Sequence, residues 1–158
     1  MDYAAVILWM ASMFGLSTDQ FSSAHTAPFT TVLLLKVFPI FAVLGIDRID
    51  LLIRKLAHIS EYCILGILVA NVFSNRSRLA RKRQIVCAIV LGVIYAAGDE
   101  LHQSFVPSRT PSPFDVLIDT LGFASGIICF YSYCAIREAR TIRANTSLCP
   151  KNLSEIEE

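Results

Sequence analysis

Charge is scarce in this chain. Only 17% of its 158 residues are Asp, Glu, Lys or Arg, against about 25% in ordinary soluble domains. What charge there is nearly cancels: 14 basic and 13 acidic residues leave a net charge of +1. A nucleic-acid binder usually carries a basic face, so nucleic acid is not an expected partner. The five cysteines are odd in number and form no C-x-x-C pair. A disulfide framework or a zinc ribbon is therefore not expected. Cys63, Cys87, Cys129 and Cys134 sit inside apolar runs and read as small hydrophobes between helices, while Cys149 lies in a polar tail. No Lys or Arg precedes Lys36, so the apolar N-terminal segment lacks the positive region of a signal peptide and reads as a retained span. No internal repeat is evident, and neither Ser60 nor Ser104 lies in a nucleophile elbow.

Apolar residues are abundant. They make up 54% of the chain, and the mean hydropathy is +0.57. A membrane-spanning helix needs about 20 mainly apolar residues to cross a hydrocarbon core about 30 Å thick. Four segments reach or approach that length: Tyr3–Leu16, Leu56–Phe73, Ile85–Ala97 and Phe114–Ala135. The expected fold is an all-α integral membrane bundle of four transmembrane helices. The Ala27–Ile46 stretch is apolar but holds Lys36 near its centre and Pro39 just after. A charge at mid-membrane costs about 2.5–3.5 kcal/mol on insertion scales, so an extra interfacial or re-entrant helix between spans one and two is expected there. Residues 1–140 form the membrane domain in this reading, and 141–158 a polar cytoplasmic tail.

Basic residues in short loops set orientation. Arg76, Arg78, Arg81, Lys82 and Arg83 crowd the link between the second and third spans, and Arg137, Arg140 and Arg143 follow the fourth. Two adjacent spans separate the clusters, so both face the same side, expected to be the cytoplasm. With four spans both termini lie there too, and the protein is multi-pass in the cytoplasmic (inner) membrane.

The other ends of spans two, three and four are unexpectedly polar. The second begins with Lys55, His58, Glu61 and Tyr62, spaced three and four apart on one helical face. The third ends with Asp99, Glu100, His102 and Gln103, followed by Pro107, which stops regular structure, and Arg109. The fourth opens with Ser112 as N-cap, Pro113 at the first helical position and Asp115 at the third, a start signal with its own mechanism. Asp119 follows one turn deeper. Gly122 and Gly126, four apart, admit a close neighbouring helix. Ionisable groups at a membrane edge need a protein or water-filled surface to receive them. One polar pocket at the outer leaflet, built from three span ends, is therefore expected. Its members are Lys55, His58, Glu61, Asp99, Glu100, His102, Gln103, Arg109, Asp115 and Asp119. The bland readings are that Asp115 only caps, that Lys55 and Arg109 snorkel to lipid phosphate, that His102 is solvated and that Tyr62 anchors at the interface.

These residues resemble the VanZ-like membrane protein family. K-x-x-H-x-x-E-Y-x-x-L-G at Lys55–Gly66 is similar to its first signature. D-E-x-x-Q-x-F-x-P-x-R at Asp99–Arg109, then D-x-x-x-D-x-x-G at Asp115–Gly122, resembles its second. Trp9 and the stretch after span one also look similar, and the resemblance covers roughly Tyr3–Ile136. The chain departs from the pattern in its apolar Ala27–Ile46 segment, and at Asp119 relatives can carry Asn. The resemblance implies a small multi-pass bacterial envelope protein without a settled activity. The family takes its name from a member associated with teicoplanin resistance, a label that need not transfer.

Three functions follow for such a pocket. An enzyme acting on a lipid head group or lipid-linked envelope precursor would use Lys55, Arg109 and the neighbouring His102, Gln103, Asp115 and Asp119 to bind substrate. Arg holds phosphate bidentately. His58 would act as general base or acid, oriented by Glu61 or Asp99, with Glu100 beside them. A divalent metal on His58, Glu61 and Asp99 is a variant; no cofactor is otherwise assigned. A non-catalytic protein would bind a lipid head group, antibiotic or envelope partner through the same charges. A structural cluster would only register the helices. A transporter fits less well, because four spans make a small conduit and no charge punctuates the inner halves; a homodimer would enlarge it.

Overall fold

The structure is a computed structural model describing residues 2–16, 46–106 and 112–148. The elements among the described residues are all helices: α1 (Asp2–Leu16), α2 (Ile46–Arg76), α3 (Arg81–Gln103) and α4 (Pro113–Leu148). At about 1.5 Å per residue, the 23 residues of α3 already exceed the hydrocarbon thickness. Among the described residues three stretches are long and apolar enough to cross a membrane, namely Leu51–Arg76, Arg81–Gln103 and Pro113–Ala144. Helix α1, with 15 residues, reaches only about 22 Å and falls short of that length. The expected first span, Tyr3–Leu16, thus stands as a shorter apolar helix. The expected interfacial helix falls, apart from Ile46, outside the described residues.

Small residues make the seam. On α3 the buried positions are Gln84, Ala88, Gly92, Ala96, Asp99 and Gln103, one stripe at helical spacing, apolar in its middle and polar at both ends. Helices α2 and α4 run parallel and pack most extensively, with α3 antiparallel to both. A Cβ on Gly122 would sit 2.7 Å from the Ile59 carbonyl oxygen, and one on Gly126 would collide with the Cys63 carbonyl. The glycine pair read from the sequence is therefore the contact line of α4 on α2. Gly66 answers from α2, where a Cβ would strike the Phe123 carbonyl. Tyr62, Leu65, Ala70, Phe123 and Ile127 fill the core. Large apolar side chains such as Ile64, Val86, Ile94, Leu121 and Ile128 point outward, the arrangement of a helical membrane protein, whose helices associate through close packing rather than water exclusion.

The arginine-rich end is tied by its own polar contacts. Buried Gln84 donates to the carbonyls of Ser77 (3.3 Å) and Leu79 (3.0 Å) and accepts from the Tyr131 hydroxyl (2.9 Å). Arg81 lies over the Tyr131 ring at 5.4 Å and 3.8 Å from Glu138. Both basic clusters therefore share one end of the bundle, as the sequence implies. Helix α4 continues past Thr141, where a tail was expected to begin, through Leu148. The Arg137–Leu148 segment holds no Gly or Pro before Pro150, and its Ala, Arg and Glu are good helix formers.

Candidate functional site

The opposite end gathers the polar residues. Lys55, His58 and Tyr62 project from α2 at spacings of three and four, Asp99 and Gln103 from α3 at four, and Asp115 and Asp119 from α4 at four. Such spacings put each set on one helix face, and the glycine seam turns those faces together. The contact of Gly122 with Ile59 brings Asp119, one turn earlier on α4, level with His58.

His58, Asp99 and Asp119 form the centre. Each offers an imidazole nitrogen or carboxylate oxygen, and these atoms all lie within 4.8 Å of one another. His58 Nδ1 is 3.9 Å from Asp119 Oδ1. Both carboxylates are buried, Asp99 with 7% and Asp119 with 3% of its surface exposed. Asp99 Oδ2 accepts from Gln103 Nε2 at 3.1 Å and lies 3.4 Å from the Tyr62 hydroxyl, which donates to it. Asp99 Oδ1 is buried with no hydrogen-bond partner among the described residues. A buried acceptor left unmade costs about 1–3 kcal/mol.

Around the centre lie further expected residues. Lys55 pairs with Asp115, so Asp115 serves as more than a cap; the capping hydroxyl is Ser112 Oγ, which accepts the Phe114 N–H at 3.2 Å. Glu100 accepts the Ser112 N–H, tying the end of α3 to the start of α4. Arg109 lies outside the described residues.

Three sequence expectations change. Glu61 is not a member of the metal-spaced group, whose third ligand is Asp119. The Glu61 backbone carbonyl accepts the Trp9 Nε1–H of α1 at 3.0 Å. His102 is half-buried and is not a member of the central group. Its ring stacks on Phe14 of α1 with centroids 4.1 Å apart, and its Nδ1 is buried without a partner among the described residues. Tyr62 is no interface anchor: it is fully buried and touches Asp99. Its position four residues after His58 was the available signal. Tyr95 was missed altogether; its hydroxyl donates to the Met10 carbonyl at 2.9 Å and its ring stands 6.0 Å from that of Tyr62.

The two signature strings thus converge on one locus: Lys55, His58 and Tyr62 from the first, Asp99, Gln103, Asp115 and Asp119 from the second. Residues 3–136 match the family model described as VanZ/LLP1. The chain belongs to the VanZ/LLP1 family. Its matched region takes in α1, α2, α3 and the membrane-length portion of α4 as far as residue 136, and so the whole polar centre. No curated protein and no solved structure matches this VanZ/LLP1 chain.

Proposed function

We propose that this VanZ/LLP1 protein acts on the phosphate-bearing head group of a membrane lipid or lipid-linked envelope precursor at the outer leaflet of the bacterial inner membrane. The observation that carries the reading is the buried His58–Asp99–Asp119 group shared by three helices. Three separate helices converging on ionisable side chains stabilise nothing that apolar packing would not supply more cheaply, and intramembrane ionisable groups are functional by default. The depth suits a head group. Asp119 lies six residues into α4 and Asp99 four residues before the end of α3, about 6–9 Å along each helix.

Orientation enters through the arginines. With the Arg81–Glu138 end in the cytoplasm by the positive-inside rule, the centre faces the outer leaflet. Lys55, and Arg109 six residues after the end of α3 in the sequence, supply phosphate contacts. His58 transfers the proton, and Asp99, held by Gln103 and Tyr62, orients it. Alteration of an envelope precursor in this way also gives a route to teicoplanin resistance.

The test is turnover of a labelled lipid-linked phosphate by purified protein in nanodiscs. The wild type converts it, and His58→Ala and Asp99→Asn lose conversion while keeping expression and folding. Full activity in both variants removes the reading. A binding-only role has one observation in its favour: Lys55–Asp115 and Glu100–Ser112 are already paired. His58→Gln separates the two, because it ends proton transfer while leaving the Lys55–Asp115 and Glu100–Ser112 pairs in place. Binding without turnover in the wild type favours the non-catalytic role.

A further inference from the structure

Among the described residues the charge at the centre does not balance. Two buried carboxylates and one imidazole share a space less than 5 Å wide, and the lysine nearest in the fold is engaged with Asp115. Two buried carboxylates this close need positive charge between them, because like charges in a low-dielectric interior repel by several kcal/mol. The ligand set suits a cation. Imidazole nitrogen with two carboxylate oxygens is chemistry shared by Zn2+ and Mn2+. A tetrahedral or octahedral ion with bonds of about 2.0–2.2 Å sets neighbouring ligand atoms roughly 3.0–3.5 Å apart. The separation of His58 Nδ1 from Asp119 Oδ1, 3.9 Å, is within a side-chain rotation of that value. Asp99 brings an independent sign of a ligand: more than nine-tenths buried, it keeps Oδ1 without a hydrogen-bond partner among the described residues. Its other oxygen is held by Gln103 and Tyr62, the kind of support that orients metal-binding carboxylates.

We infer that His58, Asp99 and Asp119 hold one divalent transition-metal ion, Mn2+ or Zn2+, with Gln103 and Tyr62 orienting the Asp99 carboxylate. The inference deepens the reading above and rests on the same site. Three protein ligands leave open positions, as in catalytic rather than structural metal sites. There a phosphate oxygen or a water binds beside Lys55. Glu61 and His102 are not among the ligands. The ligand set thereby differs from the His58, Glu61 and Asp99 combination suggested by helix spacing alone.

The experiment uses full-length protein in nanodiscs, stripped with chelator and then titrated with Mn2+, which thiolates compete for poorly. Zn2+ is titrated in parallel. One ion binds per chain, and electron spin resonance of the Mn2+ form shows nitrogen coupling from a single imidazole. His58→Gln abolishes that coupling, and Asp99→Asn and Asp119→Asn each weaken binding at least 100-fold. Gln103→Leu and Tyr62→Phe weaken it about 10–100-fold, the usual cost of removing a group that orients a ligand. Glu138→Gln at the far end leaves it unchanged. Elution volume and Trp9 fluorescence establish that each near-isosteric variant is folded. Absence of a stoichiometric ion in folded wild type, the result if a proton rather than a metal supplies the charge, overturns the inference. So does undiminished binding in the His58, Asp99 and Asp119 triple variant. Metal binding without lipid turnover removes only the proposed function; lipid turnover that survives complete stripping removes only the metal centre.

Discussion

Asp99 is the residue on which the site turns, because one carboxylate meets groups from its own helix and from α2. Its contacts differ in strength. The Gln103 bond at 3.1 Å has good length, whereas the Tyr62 hydroxyl at 3.4 Å is long. Tyr62→Phe should therefore lower stability by only about 0.5–1.5 kcal/mol, while Gln103→Leu, which strips a donor from a buried carboxylate, costs about 1–3 kcal/mol. Thermal unfolding in detergent measures both, and a larger loss for Tyr62→Phe would reverse the ranking. Lys55→Ala separates function from folding. The Lys55–Asp115 pair is more than a third exposed, and exposed ion pairs contribute about 0–1 kcal/mol. The melting temperature should hardly move, while affinity for a phosphate head group falls. The first signature made Lys55 and His58 legible as members of one polar cluster. The inward role of Tyr62 was not, since a tyrosine near a membrane edge reads equally as an anchor.

At the scale of elements, α2 and α4 are held by absence of side chain. Gly122 and Gly126 bring α4 onto the carbonyls of Ile59 and Cys63, leaving no room for a methyl group. Gly126→Ala should cost about 1–3 kcal/mol by overpacking and shift Asp119 away from His58, so activity falls further than stability. Phe123 lies between Gly92 and Gly66 and is nearly fully buried. Phe123→Ala should cost about 3–5 kcal/mol through the cavity it leaves, whereas Leu121→Ala, on the outward face, should be close to neutral. Equal melting temperatures for that pair would contradict the packing. The glycine spacing could be read before the fold was known; its partners could not, because a small-xxx-small pattern states that a helix approaches without naming which.

The whole molecule has two unlike ends, and its orientation is open to direct measurement. In a background with the cysteines replaced by serine, Ser104→Cys should react with a membrane-impermeant maleimide applied to intact cells. Arg78→Cys should react only after permeabilisation. The reverse pattern would put the polar centre on the cytoplasmic side and remove an outer-leaflet substrate. The amino-acid sequence by itself determined that the chain is helical and membrane-type, and that ionisable groups collect at one end and arginines at the other. Those properties reside in run length, composition and helical period, which are local. Only the tertiary structure decided that Asp119 rather than Glu61 joins His58 and Asp99, that Tyr62 turns inward, and that His102 stacks on Phe14. Spacings of three and four leave candidate residues on one face within a fraction of a turn of each other. Which of them meet is set by how far each helix is rotated about its axis, and the close contact of two glycines with a neighbouring backbone sets that rotation.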